Sequence, residues 1–165
     1  MNVRKRPHVL VVGPEGLAIE EANALKQAFE EGGATASAFR TDKDFKLAEL
    51  AAEMPSATHL LLALDRVDGY ASSILLEADK SKSIQTAFLC LYSGEALTRY
   101  HHRIREGRVS LIVLRFYTDH ARARTHWPMV SMVVADPKDL RVSAADIARM
   151  FIGPKSKERQ MSATG

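Results

Sequence analysis

The chain of 165 residues holds a single cysteine, Cys90. One thiol excludes an intramolecular disulfide, and with it any disulfide-stapled scaffold, and fits a reducing compartment. Because Cys90 sits inside an apolar run, a buried, inert thiol is the expectation. No apolar run approaches the ~20 residues that a helix needs to cross a bilayer. The longest, around residues 109–114, is strand-sized, so no membrane association is expected. The basic start, Met1 to Arg6, leads into no apolar stretch of secretory length, so no signal peptide is expected and the location expected is cytoplasmic. Neither HExxH nor CxxC occurs, and His101-His102 are adjacent residues that point in different directions on a helix. No metal and no resident cofactor are therefore expected. The dinucleotide GxGxxG and the phosphate-cradling P-loop are missing as well.

What is present is ordinary globular composition: 46% hydrophobic and 26% charged residues, enough chain for one domain with a sizeable core. The net charge is +3, and much of the excess lies in Arg4, Lys5 and Arg6 at one end and Lys155, Lys157 and Arg159 at the other. Basic ends of this kind are solvated tails in the simplest reading; nucleic acid or an acidic protein partner is the other. The division that follows is a basic N-terminal tail at 1–6, a single α/β domain at 7–154, and a disordered C-terminal tail at 155–165.

Five apolar runs read as strands: His8 to Val12, a weaker Thr35 to Phe39, His59 to Leu64, Thr86 to Tyr92, and Val109 to Phe116. Four of them are apolar on both faces, the pattern of strands covered by helices on both sides. Met129 to Val134 is a candidate sixth. Helical spacing runs from Leu17 to Glu31, where Gly32 and Gly33 stop it, then over Phe45 to Met54, Ala71 to Ser83, and Gly94 to Glu106. Ser143 with Asp146 forms a capping-box-like start for a last helix ended by Gly153 and Pro154. Strands alternating with helices imply right-handed crossovers and a parallel sheet. The fold expected is a three-layer α/β domain of the Rossmann or flavodoxin-like kind, with a mostly parallel five-stranded sheet.

In such a sheet ligands gather beyond the carboxyl ends of the strands. Those ends are Gly13-Pro14-Glu15-Gly16, Asp65 to Tyr70, Ser93-Gly94-Glu95, and Tyr117 to His120. The first leads into a helix whose amides can hold a phosphate, although Pro14 removes one donor. The segment DRVDGYASSILLE, Asp65 to Glu77, is the richest. A glutamate beneath a loop carrying Asp65, Asp68, Tyr70, Ser72 and Ser73 suits a nucleophile or base; the alternative is that Asp68 and the serines cap the helix while Glu77 is a surface acid. The arginines and histidines from Arg99 to Arg108 suit a phosphate or an acidic partner, or simply a wet helix face. In HARARTHW, residues 120–127, Trp127 ahead of Pro128 reads as a packing anchor rather than a base-stacking residue.

The pieces HLLLALD, DGYASSILLEADKS and TAFLCLY resemble the nucleoside 2-deoxyribosyltransferase family, especially its branch of 2′-deoxynucleoside 5′-phosphate N-hydrolases. The resemblance covers about residues 8 to 118. It implies that Glu77 attacks C1′ of a deoxyribosyl group, with Asp65 beside it. It further implies that Thr98 binds a 5′-phosphate, that Gly13 and Pro14 touch a nucleoside or nucleotide substrate, and that the protein is a homodimer. Glutamate-bearing TIR-type domains, which cleave NAD, share the architecture. A reading of another class is a non-catalytic α/β interaction module, similar to a response-regulator receiver whose acidic pair is replaced by Gly13-Pro14 and whose lysine after the fifth strand is replaced by Tyr117-Thr118.

Overall fold

A computed structural model describes residues 6–81 and 83–153. The tails expected at either end lie outside the described residues, except Arg6, whose Nε donates to the Gly33 carbonyl at 2.9 Å. Six strands form one parallel sheet: β1 (His8–Gly13), β2 (Thr35–Arg40), β3 (His59–Leu64), β4 (Gln85–Cys90), β5 (Val109–Leu114) and β6 (Ser131–Val134). Their spatial order is β2-β1-β3-β4-β5-β6, and every pair is parallel. The five-strand expectation is thus one strand short. The candidate run at 129–134 does form an edge strand, but as a half-exposed one its apolar signal is weak.

The apolar runs form central strands because both of their faces are covered. Along β1, Leu10 and Val12 face one layer of helices while Val9 and Val11 face the other, and each is no more than 1% exposed. Each such side chain contributes roughly 1.5–3 kcal/mol through burial. One layer holds α1 (Ile19–Glu31) and α6 (Ala144–Ile152). The other holds α2 (Leu47–Glu53), α3 (Ala71–Asp79), α4 (His101–Arg105) and α5 (Tyr117–His126). The chain leaves α1 through Gly33, whose φ of 97° is the left-handed region that favours glycine.

Three local expectations need correction. Gly94 to Tyr100 is a 3-10 segment, and only His101–Arg105 is α-helical. Tyr117–His126 is a helix, α5, which the sequence reading left without an element; only Ala123 on it is buried, so it carries no apolar stripe. Ser143 precedes α6 but does not cap it, because its Oγ accepts instead from the Asp136 amide at 2.9 Å. Two expectations hold: Cys90 is 1% exposed, and Trp127 is a buried anchor at 7%. No helix among the described residues is long and apolar enough to cross a membrane.

Candidate functional site

The chain leaves β1 toward β2 on one side and returns to β3 on the other, so the strand order reverses between β1 and β3. This is the switch point at which open α/β sheets part their loops and hold ligands. Two cavities adjoin along this rim, one between the segments that follow β3 and β4 and one at the switch point. One, of about 280 Å³, is lined by Asp65, Arg66, Tyr92, Ser93, Thr98 and Arg99. The other, of about 200 Å³, takes in Gly13, Pro14, Asp65, Asp68 and Tyr70. Asp65 stands between them.

The loop after β3 is fixed from two directions. Its own turn is closed by Gly69, at φ 54°, and by the Arg66 amide donating to Asp65 Oδ1 at 2.7 Å. From the segment after β4, Arg99 donates to the Asp65 carbonyl and the Tyr100 hydroxyl donates to Asp68 Oδ1. Ser72 Oγ adds a second bond to the same oxygen at 2.9 Å. Partial burial pushes the Asp68 carboxyl up, but the bonds from Tyr100 and Ser72 and the charge of Arg99 outweigh it and hold Asp68 below the usual carboxylate range. Burial, and then the Asp68 contact, push the Tyr100 phenol up to about 12.

Above this anchor the rim is aromatic and basic. The Arg66 guanidinium lies over the Tyr92 ring, 4.3 Å from its centroid. Tyr92 and Tyr70 are 36% and 41% exposed, and Tyr70 packs edge-on against Phe45 with ring centroids 4.7 Å apart. The first cavity thus presents the Tyr92 ring with Arg66 and Arg99, and the adjoining one presents Tyr70.

The β1–α1 loop contrasts with this. A Cβ added at Gly13 would meet Leu17 Cδ2 at 2.6 Å, and one added at Gly16 would meet Tyr92 Oη at 2.5 Å. The space that these glycines leave is filled by the chain itself. The loop is closed by the Leu17 amide donating to the Pro14 carbonyl at 3.0 Å, and Arg40 donates to the carbonyls of Leu17 and Glu15 at 3.4 and 3.3 Å. Glu21, in the first turn of α1, folds back so that Oε1 accepts from the Ala18 amide at 3.3 Å. Its Oε2 accepts from the Leu140 amide at 3.2 Å and lies 3.3 Å from Arg115 Nη2.

The structure therefore brings Gly13, Pro14, Asp65, Asp68 and Tyr70 around one cavity, with Thr98 in the next. Thr98 Oγ1 is engaged with the Glu95 carbonyl at 2.7 Å. Ser72 takes part through Asp68, while Ser73 is exposed on α3. Glu77 joins neither cavity. It sits six residues beyond Ala71 on α3, about 9 Å along the axis, and pairs with Lys80 Nζ at 3.0 Å. Its neighbours Ile74 and Leu75 are core residues, 0% and 1% exposed. Nothing in the sequence sets Arg66, Tyr100 or Glu21 apart, and Tyr92 is marked only by ending an apolar run at the rim. Among the described residues no group of three or more His, Cys, Asp or Glu is placed to hold a metal.

No family model matches the chain, and no curated protein matches it. Solved structures do. A diflavin flavoprotein A3 from Nostoc sp. superposes with a TM-score of 0.54 at 11% identity, covering 88% of this chain and 94% of that one. Oxidised flavodoxin 1 from Bacillus cereus gives 0.52 at 10% identity, covering 88% and 97%. The flavodoxin-like domain of a Synechococcus sp. protein gives 0.52 at 12%, covering 86% and 96%. At such identities the likeness shows the fold alone: a three-layer, flavodoxin-like α/β domain. It corrects the resemblance to nucleoside 2-deoxyribosyltransferases, and with it N-glycosidic cleavage through Glu77. The flavodoxin-like neighbours lend the receiver-like, non-catalytic reading no better support.

Proposed function

We propose that this chain binds a planar flavin-type ring at the carboxyl rim of its sheet, in the crevice between the loops that follow β3 and β4. The observation that carries the reading is Tyr92, a half-exposed ring on the cavity wall with the Arg66 guanidinium over its face. Such a pair stacks on a flat aromatic system and adds positive charge beside it. The fold supports the same choice of ligand, since the neighbours are described as a diflavin flavoprotein and as a flavodoxin in its oxidised form. A flavin, when bound, supplies one- and two-electron transfer. The chain's own part is to stack the ring, to set Arg66 and Arg99 beside it, and to hold the β3 loop still through Asp68 and Tyr100.

The fit is to the ring and not to a phosphate on the β1–α1 loop. That loop offers no side-chain hydroxyl, carries Glu15, and has its glycine space filled by Leu17 and Tyr92. Fluorescence titration with riboflavin tests the reading. Stacking on Tyr92 quenches the flavin emission, and Tyr92→Ala weakens binding by about tenfold or more, roughly 1.4 kcal/mol or more. No quenching up to about 1 mM riboflavin, the range of the weakest specific binding, would overturn it.

A further inference from the structure

The first turn of α1 is where a flavodoxin-like sheet presents backbone amides to an anion at its switch point. Here that position already holds an anion. Glu21 accepts from the Ala18 amide through one oxygen and from the Leu140 amide through the other, at 3.3 and 3.2 Å. Arg115, from the end of β5, stands 3.3 Å from the second oxygen. Both partners are nearly buried, their side chains 12% and 13% exposed. Arg115 spends another donor on the Pro137 carbonyl at 3.1 Å. Its buried Nε has no hydrogen-bond partner among the described residues. Leu17 and Tyr92 fill the remaining approach over Gly13 and Gly16.

We infer that Glu21 is a built-in plug and a specificity-determining residue: it takes the place of a ligand phosphate at the start of α1, so the ligand of this chain carries no phosphate there. A phosphate approaching the Ala18 amide meets the Glu21 carboxylate already at hydrogen-bond range, with Glu20 on the same turn of α1, and like charges repel. Arg115 faces Glu21 with its single positive charge and has no second one to offer a phosphate. As to the ligand's identity, the inference rests on the proposed function and narrows it to the unphosphorylated ring system. The closure of the seat does not depend on that reading.

Inorganic phosphate tests the closure by itself. In the wild-type protein, phosphate leaves the amide signals of Ala18 and Leu140 unmoved and raises Tm no more than chloride at equal ionic strength. Phosphate-dependent shifts at those two amides in the wild type would overturn the inference. Glu21→Ala removes the plug and frees both amides and Arg115, so its Tm climbs with phosphate concentration and the two signals shift. A folded Glu21→Ala protein blind to phosphate would also overturn it. In the flavin titration the wild type binds riboflavin and FMN within about twofold of each other; a preference for FMN of about tenfold refutes the plug while leaving the ring site standing. A chain that binds neither flavin refutes the ring site, and the phosphate arm still decides the plug.

Discussion

Tyr100→Phe is the most informative single change at the rim, because it removes one hydroxyl and nothing else. That hydroxyl donates to Asp68 Oδ1 from 32 residues away, tying the segment after β4 to the loop after β3. A hydrogen bond to a charged acceptor contributes ~1.5–3 kcal/mol. Asp68 is only partly buried, so water still screens the interaction and the loss expected is about 1–1.5 kcal/mol. For a chain of this size that lowers Tm by roughly 2–6 °C. The loss depends on pH in a stated direction. The bond helps to hold the Asp68 pKa below its ordinary 3.8, so its stabilisation is present above that value and is lost as pH falls through the lowered pKa. At the alkaline end the sign reverses. The Tyr100 phenol is pushed from 10 up to about 12, so the wild type loses stability as pH rises between those values, whereas the phenylalanine variant lacks this term. Urea denaturation of both proteins at neutral pH and at about pH 2 reads the first effect, and carboxyl NMR titration reads Asp68 directly. A penalty under about 0.3 kcal/mol at neutral pH, or one of equal size at both pH values, would refute the account of how this loop is held.

Two further outcomes follow from the packing. Leu75→Ala empties a site that is 1% exposed and should cost ~2–5 kcal/mol, whereas Leu76→Ala, at a side chain 63% exposed, should stay within about 0.5 kcal/mol; equal losses in urea melts would contradict the burial of α3. The Cys90 thiol, pushed up to about 12 by burial, should ignore a thiol reagent in the native state at neutral pH and react fully in urea; rapid native labelling would show that β4 opens.

The sheet was legible because its signal is local. Leu60 to Leu64 is apolar at every position, the pattern of a strand covered on both faces, and the observed β3 adds only the buried His59 before it. The edges were harder for the converse reason. β2 and β6 have no fully buried residue, so their sequences carry little periodicity. Helix α5 was illegible in the same way, since a helix held by little more than Ala123 and its flanking Trp127 has almost no apolar face to read. The rim loops were located correctly from strand ends alone, and Gly13, Asp65, Asp68 and Tyr70 do meet there.

The chemistry assigned to that rim failed because residue types in sequence do not state which of them are already spent. Glu77 looked reactive as a carboxylate after a loop of hydroxyls, but a helix carries it about two turns away from the loop and hands it to Lys80. Thr98, which the resemblance set against a 5′-phosphate, donates its hydroxyl to the Glu95 carbonyl within the 3-10 turn. Glu21 carries no signal of its own in the sequence, and the fold draws it under Leu140 and against Arg115, 119 and 94 residues further along the chain. In each case the deciding contact is either a helical turn that sets direction or a partner that only the closed sheet supplies. A fold shared at about one residue in nine with flavoproteins therefore leaves the ligand open until the polar groups at the rim are accounted for. That accounting favours the Tyr92 face over the start of α1: the first still has an exposed ring with positive charge beside it, and the second has already been given its anion.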